Sequence, residues 1–282
     1  MAELEFDVKI PHLSPSKIAN FVEYCGLKFA WEVEYRKEGI PIPVSGAMVL
    51  GTAIHSVVEW ALKEVRAGRK LPSHQDMTDR LPRAWEEALA AEQAKKNPIT
   101  WDKDDPEDQA IEEGKLVLPA AREQYLVGVR PRLVEEPMKE YIRWNGGEPI
   151  LVWGRIDLVR DDADAPGGAE IVDWKTTKDS VSANQRKSGV QMYAYGWWFA
   201  RCASVTHANV RKVFFVRGKR AKVETEPYQV TPGDMAYFER AAIMTWKAMR
   251  AQAFVPHEGW WCVSPKDKPY GCPFFDGCKR GQ

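Results

Sequence analysis

The chain has no apolar run long enough to cross a bilayer; its best stretch, Met192 to Val205, is interrupted by Arg201. It also lacks a basic leader followed by an apolar segment, because Met1 to Ile10 alternates acidic and apolar residues. These absences predict a soluble, cytoplasmic protein with no membrane partner. Excess charge of either sign is missing too. Lys plus Arg and Asp plus Glu each number 40, so global charge argues neither for nor against a nucleic-acid partner. Any such reading rests on local basic clusters beside an acidic site. Cysteine is scarce, with five residues at 25, 202, 262, 272 and 278. In a reducing compartment, their clustering at one end points to metal ligation before disulfides. There is no internal repeat and no low-complexity tract.

What is present is an ordinary globular balance in 282 residues, enough for one elaborated domain. Ser14-Pro15-Ser16-Lys17 reads as a helix start, and Ile18, Phe21, Val22 and Cys25 follow helical spacing. A Pro/Gly-rich loop from Gly39 to Gly46 precedes a second helix opened by Gly51, with an apolar stripe at Ile54, Val57, Val58, Ala61, Leu62 and Val65. Two further helical patterns run from about Thr78 to Lys96 and from Glu107 to Val127, flanking an acidic loop. The period then changes. Leu133 to Trp144, Pro149 to Arg160 and Ala169 to Lys175 read as three strands, with turns at Asn145-Gly146-Gly147 and Asp164 to Gly168. A helix from about Ala183 to Arg201 follows. Two more strands, His207 to Val216 and Ala221 to Val230, precede a helix capped by Thr231, and the tail from Phe254 is irregular. The order predicts an α/β fold with a mixed sheet flanked by helices, a helical N-terminal insertion and a cysteine-rich tail. Residues 1–282 read as a single domain, divided into 1–50, 51–130, a core at 131–252 and the tail at 253–282.

Chemistry concentrates in Gly154-Arg155-Ile156-Asp157 and Glu170-Ile171-Val172-Asp173-Trp174-Lys175-Thr176-Thr177. Strand alternation puts Asp173 and Lys175 on one face and Val172 and Trp174 on the other; Asp157 is expected with Ile156 and Leu158 on its opposite face. An ordinary surface hairpin would pair Asp and Lys across strands. Two carboxylates and a lysine aimed into one cleft instead call for a divalent cation, since buried charge is costly without a partner. Carboxylate oxygens suit Mg²⁺ or Mn²⁺. His55 and Glu59, four apart in Gly51-Thr52-Ala53-Ile54-His55-Ser56-Val57-Val58-Glu59, share a helical face, and His55 is a natural metal ligand. Gln191 and Tyr195 are likewise four apart and within reach of a phosphate or base, although an aromatic core helix explains their neighbours equally well.

Together, in this order, these four segments resemble the successive motifs of RecB-like nucleases in the PD-(D/E)XK superfamily. The resemblance implies a restriction-endonuclease-like fold and a deoxyribonuclease acting on single-stranded DNA or duplex ends. It implies His55, Asp157, Asp173 and the Trp174 carbonyl as metal ligands, Lys175 as the catalytic lysine, and Gln191 and Tyr195 as substrate contacts. Glu135 or Glu136 is available as a further carboxylate, with nothing in the sequence choosing between them. Ile156-Asp157 stands where the superfamily name has Pro-Asp.

The layout of Cys25, Cys262, Cys272 and Cys278 resembles the iron–sulfur branch of these nucleases, which includes AddB and the small exonucleases associated with CRISPR loci. That resemblance implies a [4Fe–4S] cluster pinning the tail to the N-terminal helix. Structural Zn²⁺ would also accept four cysteines, although paired C-x₂-C knuckles are absent. Nine residues separate Cys262 from Cys272 where relatives more often have two. Cys202 reads as a core cysteine on an apolar helix. Lys178, Arg186, Lys187, Lys279 and Arg280 are candidate phosphate contacts. The expectation is a metal-dependent exonuclease with a recombination or CRISPR protein as a possible partner. A non-catalytic DNA-end-binding subunit and a structure-specific endonuclease are the alternatives.

Overall fold

A computed structural model describes residues 12–254, apart from 102, 104, 105, 146, 179, 181–188 and 219, and also 262, 272, 274 and 278. Arg186, Lys187, Lys279 and Arg280, and the first turns expected for the Ala183 helix, lie outside the described residues.

Ser14 accepts the Lys17 N–H and starts α1 (Pro15–Ala19), which runs through a π-helical turn at Asn20–Tyr24. Cys25 is extended and its Sγ caps α2 (Gly26–Lys37), a helix the sequence pattern does not announce. Only Gly26, Phe29 and Ala30 of α2 are buried, so its apolar stripe is too thin to read. After β1 (Val44–Ser45) comes α3 (Gly46–Arg66), capped by the Ser45 side chain. Gly51 therefore lies in its second turn and does not open it. α4 (His74–Ala94) carries a Ser73/Asp76 capping box, β2 (Ile99–Thr100) pairs in parallel with β1, and α5 (Glu107–Ala121) continues into a π turn at Arg122–Leu126.

The sheet is ordered β3 (Pro131–Ile142), β4 (Ile150–Asp161), β5 (Ala169–Thr177), β6 (Ala208–Val216), β7 (Lys222–Val230). The first three strands form an antiparallel meander; α6 (Val190–Ala203) carries the chain across to β6, parallel to β5. β7 returns antiparallel and leads into α7 (Pro232–Arg250) through a Thr231/Asp234 capping box. Each strand begins and ends within two residues of the expected bounds.

Two apolar cores cover the two sheet faces. One joins α1, α2, α6 and α7 to Met138, Val152, Ile156, Ile171 and Val210. The other joins α3, α4 and α5 to Val134, Leu158, Val172, Trp174 and Val213. α6 approaches β7 so closely that a Cβ on Gly196 would lie 2.6 Å from Val230 Cβ, which explains a glycine mid-helix despite its cost. At one end of the sheet, buried Glu170 accepts from Arg160 at 2.7 Å and from Arg211 at 2.8 Å, tying β4, β5 and β6 together. At the other end the sheet opens.

Candidate active site

The β4–β5 ladder runs from Asp161↔Ala169 to Leu158↔Val172 and stops there. Beyond that point the strands part, and the backbone N–H of Trp174 donates to Asp157 Oδ2 at 2.9 Å in place of a strand carbonyl. The freed edge of β4 is taken by Leu13, whose N–H donates to the Leu151 carbonyl and whose carbonyl accepts from Trp153, both at 2.9 Å. α1 begins directly afterwards, so Pro15 Cδ would lie 2.9 Å from a Cβ at position 154. Gly154 thus has a packing reason in its motif.

Ile156 and Leu158 belong to different cores, which corrects the simple alternation expected around Asp157. The cause sits on the neighbouring strand. Val134↔Leu158 and Glu136↔Ile156 flank Glu135, which adopts φ 54°, a left-handed conformation unusual for a non-glycine residue. Both strands change facing at this point, with no change of register. Glu135 and Asp157 lie between the flanking pairs of β3 and β4, Asp157 and Asp173 lie one step past the last β4–β5 pair, and Asp157 feels the charge of both others, a row of carboxylates across three strands. Glu136 instead pairs with Arg66 at 2.8 Å at the surface, so Glu135 is the acidic side chain that joins the row. Glu59 pairs with Lys63 and sends its charge toward Glu135.

Val172 and Trp174 pack in one core, as alternation requires, leaving Asp173 and Lys175 on the other side. Asp173 is 1% exposed. Its Oδ1 accepts from Lys175 Nζ at 2.9 Å, while its Oδ2 is buried without a hydrogen bond among the described residues. From the opposite side α3 passes beside β5, with Gly51 against Thr176, and puts the His55 ring edge-on to Trp174 at 6.3 Å. His55 Nε2 is likewise buried with no partner among the described residues, as are Trp174 Nε1 and Thr176 Oγ1. α6 closes the remaining side: Gln191 Nε2 donates to Tyr195 Oη at 2.8 Å, and Tyr195 Oη donates to the Arg155 carbonyl at 3.3 Å. Tyr195 is buried and committed to β4; Gln191 is half-buried beside it.

The electrostatics follow from crowding charge into a partly dry cleft. Burial, then Asp173, holds the Asp157 carboxyl well above the usual carboxylate range. Burial would lower the Lys175 ammonium, but Asp173 and Asp157 together outweigh it and the net shift is upward. Burial, then Lys175, drives His55 down to about 3, keeping its imidazole neutral and able to ligate. Burial, then Glu59, pushes Glu135 up to about 7, with Asp173 adding and Arg155 and Lys63 opposing.

These two shifts give pH dependences of opposite sign. The folded protein binds the Glu135 proton more tightly than the unfolded chain, so this contribution is full below the ordinary 4.5 and lost as pH rises through about 7. His55 favours its neutral form, so its contribution is full above the ordinary 6.5 and lost as pH falls toward about 3. Comparing the metal-free protein with Glu135→Gln isolates the first effect: the variant should gain Tm over the parent as pH rises from about 5 to about 8. A Tm difference that does not change with pH would count against the buried environment of Glu135.

Sequence reasoning missed three neighbours. Lys212 stands opposite Asp173 in the β5–β6 register; burial lowers its ammonium while Asp173 and Glu23 pull it upward. Tyr24 acts on Lys175, and Glu23 caps α6 by accepting the Val190 N–H at 2.7 Å. A lysine in mid-strand, directly before the apolar run Val213 to Val216, was the available signal for Lys212; the π turn carrying Glu23 and Tyr24 had none.

Cys272 is buried; burial first, with nearby Cys262 and Cys25 adding, pushes its thiol up. Phe274 packs its ring 5.5 Å from Trp31 and 5.0 Å from Tyr35 of α2, and its carbonyl accepts the Cys278 N–H at 2.9 Å. The described tail residues thus dock on the helix that Cys25 caps. Cys202 is exposed on α6, correcting its reading as a core cysteine, and none of the five forms a disulfide. Among the described residues, no three His, Cys, Asp or Glu side chains stand close enough to enclose a metal ion as placed. No described helix is long and apolar enough to cross a membrane.

Residues 12–279 match the family model of the PD-(D/E)XK nuclease superfamily. The chain belongs to that superfamily. No curated protein matches it. Among solved structures, the "Putative exonuclease" from Eubacterium rectale is similar, with TM-score 0.50 and 10% identity over 91% of this chain and 92% of that one. SSO0001 aligns at TM-score 0.34 and 15% identity over 82% and 83% of the two chains. The PD-(D/E)XK assignment agrees with the mixed five-stranded sheet flanked by helices, and it makes the protein a metal-dependent nuclease. The donor set suits the hard divalent cation this superfamily uses: buried carboxylates and a neutral imidazole, with Asp173 Oδ2 and His55 Nε2 lacking a partner among the described residues.

Proposed function

We propose that the chain is a Mg²⁺- or Mn²⁺-dependent DNA exonuclease acting on single strands or duplex ends, with its tail held by a [4Fe–4S] cluster. The observation that carries the nuclease reading is that His55 Nε2 and Asp173 Oδ2 are both buried without partners among the described residues, with Lys175 acting on the first and bonded to the carboxylate of the second. His55, Asp157, Asp173 and the Trp174 carbonyl are the groups that would hold the cation. When bound, it would polarise the phosphodiester and lower the pKa of the attacking water. Lys175, kept protonated by two carboxylates, orients that water and balances charge developing on the phosphoryl oxygens. The Asp157 bond to the Trp174 N–H fixes the end of β5 so that Asp173 and Lys175 keep their relative placement. Gln191, held by Tyr195 behind it, forms the wall facing the substrate strand, with Lys212 a second cation one strand away.

The end-dependence draws support from the similar fold of the Eubacterium rectale "Putative exonuclease". The cluster draws support from Cys262 and Cys25 lying near enough to act on the Cys272 thiol, and from Phe274 docking on α2. Four thiols are the ligand count that [4Fe–4S] requires. The RecB-like iron–sulfur branch and a recombination or CRISPR partner belong to this same proposal.

End-labelled linear single strands, blunt duplex and circular single strands incubated with Mg²⁺ or Mn²⁺ test it. Linear substrates should be degraded from their ends and circles spared, and chelation should stop the reaction. Cutting of circles would make the protein an endonuclease. Intact DNA of every form, with both metals, would refute the reading.

A further inference from the structure

Beside the active site, a pocket of about 420 Å³ opens between the N-termini of α6 and α7. Tyr193 and Tyr237 line it with their rings at 89° and 6.1 Å apart, and Tyr237 is 43% exposed. Tyr228 packs behind Tyr193 and donates to Asp234 Oδ2 at 3.1 Å. Glu23 and Asp234 supply carboxylates and Arg240 lies at the margin. Glu23 Oε1 is used by the Val190 N–H, and Asp234 Oδ2 by Tyr228 and the Thr231 cap. Their other oxygens, Glu23 Oε2 and Asp234 Oδ1, have no partner among the described residues. A Cβ at Gly189 would sit 2.6 Å from Glu23 Oε1, so glycine there is what lets the carboxylate reach the pocket. Burial, then Asp234 and the neighbouring carboxylate of Glu23, raises the Tyr193 hydroxyl, consistent with an acceptor-rich interior.

The pocket adjoins the chemistry through its wall. Glu23 acts on Lys212, which faces Asp173 across β5–β6, and the next residue, Tyr24, acts on Lys175. The first turn of α6 carries both linings, Val190 and Tyr193 in the pocket and Gln191 at the active site, so a strand passing Gln191 lies next to this pocket. Its contents suit one part of that strand. Flat tyrosine rings accept a base by stacking, and acceptor-only carboxylates call for donors on the base edge. Cytosine and adenine present exocyclic amino groups and guanine two adjacent N–H groups. Thymine offers a single N–H between carbonyl oxygens that carboxylates repel. In duplex DNA these edges are occupied by pairing, so only an unpaired base fits.

We infer that this pocket is a nucleobase subsite that takes one unstacked cytosine, adenine or guanine from a single DNA strand and disfavours thymine, with Arg240 beside the strand's phosphate. The inference rests on the DNA nuclease reading and gives it a strand path and a base preference.

Fluorescence anisotropy of labelled short oligo-dC, oligo-dA and oligo-dT, measured on the full chain with divalent cations chelated, tests it without catalysis. Oligo-dC and oligo-dA should bind more tightly than oligo-dT. Tyr237→Ala should weaken oligo-dC about tenfold, while Tyr237→Phe, which keeps the stacking ring, should bind like the parent. Glu23→Gln can still accept the Val190 N–H but loses its charge and gains a donor, so it should shrink the preference for oligo-dC over oligo-dT. Free dCMP should compete only weakly, because the strand supplies the remaining contacts. Equal binding of the three oligomers, or unchanged binding by Tyr237→Ala, overturns the subsite while leaving a DNA nuclease in place. Absence of DNA binding together with absence of Mg²⁺-dependent degradation overturns both.

Discussion

Asp173→Asn should lower the rate of metal-dependent DNA degradation at least about a thousandfold, the scale of losing a group aimed at developing charge. Its metal-free Tm should hold or rise. The two expectations have one origin. In the resting protein Asp173 is crowded by Asp157 and Glu135, and the upward shifts of both carry that repulsion. Removing one charge relieves the row, as substitutions at strained functional sites often do. Lys175→Met separates the two effects. It should abolish activity to a similar extent but destabilise the metal-free protein, because it leaves Asp173 Oδ1 buried without the ammonium that now serves it. Mg²⁺ should raise the Tm of the parent and not of Asp173→Asn, since only binding to the folded state stabilises it. Measuring initial rates and thermal unfolding on both variants decides the matter. Full activity in either one would remove these residues from the chemistry.

Cys272→Ser should have the second-largest effect, and on a different property. If the four cysteines hold a cluster, its binding energy is folding energy for the tail. The variant should lose visible absorption, iron and sulfide together, and its Tm should fall by roughly 10 °C. Proteolysis should then begin in the tail, because Phe274 on Trp31 and Tyr35 is a small contact to hold it alone. Cys202→Ser, at an exposed position on α6, is the matched control and should change nothing. Elemental analysis of protein purified without oxygen gives the counter-results. Zinc in place of iron would reassign the site, and neither metal with an unchanged Tm would reduce the cysteines to packing.

Much of this site was legible because its elements obey simple periods. Two-residue alternation put Asp173 and Lys175 opposite Val172 and Trp174, and the sheet has that arrangement. Four-residue spacing put Gln191 with Tyr195, and the two are hydrogen-bonded. What failed was whatever broke a period. The expected facing of Ile156 and Leu158 fails because Glu135 takes a left-handed conformation, and no residue type in that strand advertises one. The same local conformation chooses Glu135 over Glu136, a choice between adjacent identical residues that composition cannot make. The start of α3 was misplaced because Gly46 and Gly51 both look like breakers, while its cap is the less conspicuous Ser45. Glu23, Tyr24 and Lys212 reach the site through tertiary packing alone, from a π turn and from the middle of a strand.

The bond from the Trp174 amide to Asp157 gives the protein an internal reporter. Along the rest of β5 the ladder amides answer to peptide carbonyls, whose charge never varies; this one answers to a titrating carboxylate at the cleft. Its proton chemical shift and its exchange with solvent therefore track the charge on Asp157. One backbone resonance reads the ionisation of the site directly, without substrate, turnover or an added label.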